Sequence, residues 1–217
     1  DLGLSKAQQD RAFEVSKAVR EAIGPEADLM IETHAMLNYK TAVIMAERLA
    51  ELDITWYEEP AGPENANTLK ALRERIDPKV SICVGERHYT RHGIRDLLEK
   101  HVVDIIMPDI TRCGGPSEMK RMATMAEAYN VQLAPHNPNG PLSTLASAHV
   151  CAAIPNFFRQ EFMFNDVPWR DEIISNPIEI EKGHLVLTTR AGLGVDLIEE
   201  TMEKHPGIRR AKKGFYI

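Results

Sequence analysis

Several features that assign a protein quickly are scarce in this chain of 217 residues. It has three cysteines, Cys83, Cys113 and Cys151, an odd set with no CxxC spacing. A disulfide framework and a zinc ribbon are thereby excluded, and the expectation is reduced thiols in a cytoplasmic protein. Long apolar runs are absent too: the run 102–107 is interrupted by Asp104, and none approaches the ~18 residues of a membrane span. Positive charge is short, with 26 Lys and Arg against 32 Asp and Glu for a formal charge of −6. Such a chain has no means of neutralising a phosphate backbone or docking on an anionic bilayer, so neither nucleic acid nor membrane is an expected partner. The short basic cluster Arg209, Arg210, Lys212 and Lys213 reads as a solvated tail. The start, Asp1-Leu2-Gly3-Leu4-Ser5, lacks an initiator Met and a signal-peptide pattern and reads as the interior of something longer.

What is present is the composition of an ordinary globular protein, with 43% hydrophobic and 27% charged residues. Short β-rich runs at 28–33, 54–59, 80–86, 103–109, 131–136 and 157–161 each end in a polar or charged residue. Amphipathic stretches at 40–52, 66–76, 93–100, 117–129 and 142–153 separate them, and a helix at 6–23 precedes them all. In 117–129 the apolar Met119, Met122, Ala123, Met125 and Ala126 follow helical spacing, which makes that methionine stripe core. Strands alternating with helices of this length specify βαβ units and a parallel sheet. The polar strand ends Glu32, Glu58, Glu86, Asp109, His136 and Glu161 follow one another at intervals of 26, 28, 23, 27 and 25 residues. This repeat favours a closed TIM-type (β/α) barrel, in which the carboxyl ends of the strands converge on one catalytic face. Six strands are legible and a barrel needs eight. Because the chain opens with a helix, these are taken as strands three to eight, with the first two missing. The barrel is expected over 1–165. A C-terminal extension is expected over 166–217, with a β-hairpin of 178–180 and 185–188 turning at Lys182-Gly183.

Strand parity assigns the site, because residues two apart face the same way. Glu32 and His34 then point together, Glu58 follows Trp56, Glu86 follows Ile82 and Val84, Asp109 follows Ile105 and Met107, and His136 follows Ala134. Three like charges at successive strand ends, Glu32, Glu58 and Glu86, require a cation between them. All-oxygen ligation suits Mg²⁺ rather than Zn²⁺. Asp109 beside His136 would fix the imidazole tautomer and leave the other ring nitrogen as a general base. Glu161, above Arg159, could hydrogen-bond an oxygen whose charge grows during the reaction. Arg87 and His88 either line the pocket or, for Arg87, pair with a carboxylate below the rim. His92, His101, His149, His184 and His205 read as surface residues, and Gly192-Leu193-Gly194 as a turn.

The motifs Tyr57-Glu58-Glu59-Pro60, Gly85-Glu86-Arg87, Pro108-Asp109 with Gly114-Gly115, and Ala134-Pro135-His136-Asn137-Pro138 together resemble the mandelate racemase subgroup of the enolase superfamily. Glu32-Thr33-His34 and the run from His136 to Pro141 are most similar to its acid-sugar dehydratases of the galactonate and mannonate type. The resemblance implies that Glu32, Glu58 and Glu86 hold Mg²⁺, which grips the carboxylate of a small-molecule sugar acid. It implies that His136, oriented by Asp109, removes the α-proton, that Glu161 stabilises the enediolate, and that His34 protonates the departing β-hydroxyl to give a 2-keto-3-deoxy acid. It further implies a homo-oligomer, and an N-terminal capping domain that this sequence lacks. Glu32 stands where the family usually has Asp, and the strand-two lysine of many relatives falls in the missing part. Two alternatives therefore stay open: a racemase or epimerase, which would not need His34, and a catalytically silent member, which would not bind Mg²⁺.

Overall fold

The computed structural model describes residues 3–206. Arg209, Arg210, Lys212 and Lys213 lie outside the described residues. Helix α1 (Lys6–Ile23) starts at Ser5, where Ser5 and Gln8 exchange side-chain and backbone hydrogen bonds, and stops at Gly24, whose φ of +77° suits a residue without a Cβ. Its Arg20 reaches four carbonyl oxygens, of Gly24, Ala27, Leu52 and Asp53, which ties the start of the sheet to the turn before the second strand.

Five parallel strands follow: β1 (Met30–Glu32), β2 (Trp56–Glu58), β3 (Ser81–Val84), β4 (Ile105–Ile106) and β5 (Gln132–Leu133), side by side in chain order. Helices α2 (Tyr39–Ala50), α3 (Ala66–Arg73), α4 (Thr90–Glu99), α5 (Pro116–Glu127) and α6 (Pro141–Cys151) alternate with them or follow, close to the expected spans. The expected sixth strand is reduced to one parallel bridge, Leu133 to Phe157, with Phe158 donating its amide to Leu133 at 2.9 Å. Among the described residues this run has a ladder neighbour on one side only, so it lacks the second row of hydrogen bonds that would hold it regular.

Burial separates two apolar layers. The larger lies between sheet and helices and includes Met119, Met122, Ala123 and Ala126 of α5, the stripe expected to be core. The smaller lines the concave side of the sheet: Trp56, Cys83, Ile105, Met107 and Ala134, with Met30 and Phe158 packed against them. Trp56 and Phe158 approach with ring centroids 6.1 Å apart, and Arg159 meets Asp28, just before β1, at 2.7 Å. These contacts bring the last run of the sheet back toward its first two, the curvature of a barrel wall. An enclosed parallel sheet of this kind carries its functional groups beyond the carboxyl ends of its strands.

After α6 come a 3₁₀ turn (Arg170–Ile173), the antiparallel hairpin β6 (Ile180–Glu181) and β7 (His184–Leu185), and helix α7 (Glu199–Lys204). The hairpin turns at Lys182 and Gly183, both at positive φ, the geometry of a two-residue turn between twisted strands. Among the described residues no helix is long and apolar enough to cross a membrane.

Candidate active site

The register of the sheet brings the acidic strand ends together. Glu32 stands opposite Glu58, and Glu58 opposite Cys83, so the first two carboxylates are neighbours by ladder geometry alone. Glu86 arrives differently from the expectation. Ile82 and Val84 face the helices, and it is Cys83 that faces the interior. Simple alternation along β3 would therefore aim Glu86 at the helices. Gly85 breaks the strand at φ +153°, in a spot where a Cβ would lie 2.6 Å from the Met107 backbone nitrogen, and this kink turns Glu86 inward. Ligand atoms of Glu32, Glu58 and Glu86 all lie within 4.8 Å of one another.

Crowding shows in the electrostatics. Burial, then a hydrogen bond with Glu32 and the charges of Glu32 and Glu161, raise the Glu58 carboxyl well above its usual range, although Trp56 Nε1 donates to it at 3.0 Å. The three could hold a divalent cation, and they fit one: the donors are all carboxylate oxygens, Glu58 retains a proton without a cation, and Glu86 Oε2 is buried with no hydrogen-bond donor.

The parallel bridge between Asp109 and His136 sets the second half of the site. Asp109 is fully buried, and its Oδ1 accepts from the Thr111 amide at 2.8 Å and the Thr111 hydroxyl at 2.6 Å. Its Oδ2 lies 3.0 Å from His136 Nδ1 and accepts from Asn139 Nδ2 at 3.0 Å. Burial alone would raise this carboxyl, but the hydrogen bonds from His136, Thr111 and Asn139 hold it far below the ordinary range. An ionised Asp109 can only accept, so Nδ1 of His136 keeps its proton and Nε2 is the nitrogen that gains or loses one. Nε2 faces the acidic cluster, 2.9 Å from Glu86 Oε2 but off the hydrogen-bonding direction. Burial pulls the imidazole pKa down, while Asp109, Glu86 and Glu161 push it up to about 9.

Glu161 is half-buried, and its Oε2 accepts the backbone amide of Asn137. Its charge acts on both Glu58 and His136, which sets it across the same pocket. His34 lies beyond the strand to which the parity expectation applies. β1 ends at Glu32, and His34 sits in a turn at φ +48°, exposed, with its backbone amide donating to Glu32 Oε1. It is close enough for its charge to act on Glu86. Arg87 takes the structural alternative: its Nε meets the fully buried Glu59 at 2.7 Å and its Nη2 lies 3.2 Å from Glu86. Burial and the charge of Glu86 raise Glu59 to about 7 against the opposing pull of Arg87. All three cysteines are free and buried. His149 is less superficial than expected, with a buried Nε2 in α6.

Sequence reasoning missed Thr111, Asn137, Asn139 and Arg170. Asn137 is fully buried: its Nδ2 donates to Thr144 Oγ1 at 2.8 Å and to the Glu161 carbonyl at 3.1 Å, and its Oδ1 accepts from Ser143 at 2.9 Å. The Asn-Pro-Asn-Gly run after His136 carries a family resemblance and signals a turn, but it gives its asparagines no individual role. Arg170 lies beyond the barrel repeat and carries no sequence signal of its part.

Residues 3–201 match the family model described as Enolase C-terminal domain-like. The chain is 35% identical over 202 residues to D-xylonate dehydratase of Haloferax volcanii, a match covering 93% of this chain and 48% of that protein. It is 31% identical over 205 residues to arabinonate dehydratase of Saccharolobus solfataricus, covering 94% and 53%. A solved mandelate racemase/muconate lactonizing enzyme-like protein from Rubrobacter xylanophilus superposes with a TM-score of 0.89 at 36% identity, over 94% of this chain and 52% of that one. The chain thus spans about half the length of the curated relatives it matches.

Proposed function

The chain belongs to the enolase C-terminal domain-like family, and from that premise we propose that it carries the catalytic groups of an acid-sugar dehydratase acting with Mg²⁺. The observation that carries this reading is the placement of His136, with Nδ1 on a buried, ionised Asp109 and Nε2 facing three converging glutamates. A base so held beside a cation site suits removal of a proton α to a carboxylate, a proton too weakly acidic to leave unaided. Dehydratases of xylonate and arabinonate among the similar proteins support the substrate class.

Glu32, Glu58 and Glu86 would hold the metal. Bound there, Mg²⁺ would supply positive charge to the substrate carboxylate and so favour the anion left when the α-proton departs. The remaining work belongs to the protein's own side chains. His136 Nε2 takes the α-proton, and the electron pair of the broken C–H bond forms the double bond toward the carboxylate. Asp109 keeps the ring in its Nδ1–H tautomer and balances the imidazolium charge. Glu161, held by the Asn137 amide, would in its protonated form donate a hydrogen bond to the oxygen on which charge accumulates. As that electron pair returns to form the Cα–Cβ double bond, the β C–O bond breaks and His34, in its turn at the rim, protonates the departing hydroxyl as water; the enol left behind gains a proton at Cβ and loses its O–H proton to become a 2-keto-3-deoxy acid. We assign the enzyme to the cytoplasm and expect a homo-oligomer.

The test is the full gene product with Mg²⁺ on a panel of aldonic and aldaric acids. Wild type is expected to form 2-keto acid, and His136→Asn to lose about 10²–10⁴-fold in turnover together with α-proton exchange in D₂O. Full exchange in His136→Asn would overturn the assignment of the base.

A further inference from the structure

We propose that Asn139 and Arg170 are positioning residues for the Asp109–His136 pair, so that a side chain from beyond the barrel sets the orientation of the base; this rests on the reading of His136 as the α-proton base. The inference starts at one atom. Asp109 Oδ2 is shared, at 3.0 Å each, between His136 Nδ1 and Asn139 Nδ2. Oδ1 is already saturated by Thr111. The carboxylate plane, and with it the direction from which it accepts the imidazole proton, is therefore defined by donors on both sides. Remove Asn139's donor and Oδ2 has His136 as its one close partner, with the Arg112 Nε at 3.8 Å too distant to replace it. The carboxylate is then held from its Oδ1 side alone, by Thr111, and its tilt toward the imidazole is less restricted.

Asn139 itself sits in a turn between β5 and α6, where a side-chain amide on an unsupported loop would be a poor guide. Its support comes from Arg170 of the 3₁₀ turn. The guanidinium is buried, 7% exposed. Nη2 donates to the Asn139 carbonyl at 2.6 Å and approaches Thr144 Oγ1 at 3.4 Å, and Nη1 pairs with Asp166. The same guanidinium lies 5.3 Å from the centroid of the Phe162 ring. Thr144 also accepts from Asn137, whose amide holds Glu161. One rigid fork thus reaches the Asn139 end of the loop directly and the Asn137 end through Thr144. A planar guanidinium suits this duty, because its donors hold fixed relative directions that a lysine ammonium cannot reproduce. Residues that orient a catalytic group in this way commonly affect rate by about 10–100-fold without touching substrate.

The experiment compares wild type, Asn139→Leu, Arg170→Lys and Arg170→Met in the full gene product with Mg²⁺. Asn139→Leu keeps the branched shape and heavy-atom count of a half-buried residue and deletes the donor. It is expected to lower kcat and α-proton exchange together by about 10–100-fold, with KM within about twofold. In the proton NMR spectrum of histidine-labelled protein, the low-field Nδ1–H signal of His136, assigned by its loss in His136→Asn, should shift or broaden. Arg170→Met should reproduce both effects, and Arg170→Lys should recover part of each. Wild-type kcat and an unmoved His136 signal in Asn139→Leu would overturn the proposal. So would a raised KM at unchanged kcat, which would make Asn139 a substrate-binding residue. If Arg170→Met fails to fold, Asn139→Leu decides. If wild type turns over no sugar acid, the functional reading fails while the NMR comparison still judges the positioning role.

Discussion

Arg87 shows how a residue beside the acidic cluster serves it without joining it. Its guanidinium bridges Glu59 and Glu86 at 2.7 and 3.2 Å and reaches the His34 carbonyl at 3.5 Å. Glu59 is fully buried at φ +39°, with Oε1 lacking any donor, so Arg87 is its charge partner. Arg87→Met would leave a buried carboxylate unpaired, at a cost of roughly 1–3 kcal/mol moderated by the partial exposure of the arginine. Because Glu86 would lose a partner at the same time, weaker Mg²⁺ binding should accompany the lower stability. Isothermal titration and urea unfolding check the two effects, and a variant that unfolds and binds like wild type would remove Arg87 from this account. At this scale the sequence was informative where chemistry and position coincide: Glu32, Glu58, Asp109 and His136 could be read because each is a polar residue terminating an apolar run. Asn139 and Arg170 could not, since their importance lies in hydrogen bonds across 30 and more residues of chain.

Among the elements, β3 carries the lesson about reading strands by parity. Alternation held for β2, β4 and β5, whose interior residues Trp56, Ile105 and Leu133's neighbour Ala134 lead on to Glu58, Met107 with Asp109, and His136. On β3 it gave the wrong face for Ile82 and Val84, yet Glu86 still reaches the cluster because Gly85 reverses the alternation. A sequence pattern counts residues and cannot count a kink. His34 likewise lies just past the end of β1, in a turn where strand alternation no longer applies. The helices were legible within a few residues, since their amphipathic periodicity is imposed by the layer they bury. The sixth strand was overestimated, because an apolar run shows strand tendency without showing whether two neighbours are present to complete it. Gly85→Ala tests the kink. Its Cβ would meet the Met107 backbone at 2.6 Å for nitrogen and 2.9 Å for carbon, neither of which can move without parting β3 from β4. A loss of roughly 2–4 kcal/mol in unfolding free energy is expected. Glu86 should leave the cluster, and the Mg²⁺-dependent rise in melting temperature should vanish. A stable Gly85→Ala protein that still gains stability from Mg²⁺ would refute this role for the glycine.

Taken over the whole molecule, the site makes folding stability depend on pH and metal together. Burial followed by neighbouring acidic charge raises Glu58 and raises Glu59 to about 7, while Asp109, Glu86 and Glu161 lift His136 to about 9 against the effect of its own burial. Each raised group binds its proton more tightly in the folded state. Its stabilisation is complete below the pKa of the unfolded chain and fades as pH climbs through the folded value. Asp109 and Glu86 are lowered, so their stabilisation is present above the unfolded carboxylate range and is lost only in acid. The metal-free protein should therefore be most stable near about pH 5 and weaken toward about pH 9, with His136 alone contributing on the order of 3 kcal/mol to the fall. A divalent ion held by the three glutamates would replace the proton of Glu58 and offset the charge of Glu86, which would remove the main source of the slope and lower the His136 pKa. Stabilisation by the ion should thus be larger at pH 8 than at pH 6, approaching ~2.7 kcal/mol at a hundredfold excess over its dissociation constant. Urea unfolding of the full gene product across this pH range, with Mg²⁺ and with chelator, measures both curves. Parallel curves would mean that the three carboxylates hold no ion, whereas curves that converge in acid and diverge in base follow from a site at which protons and a divalent ion compete for the same carboxylates.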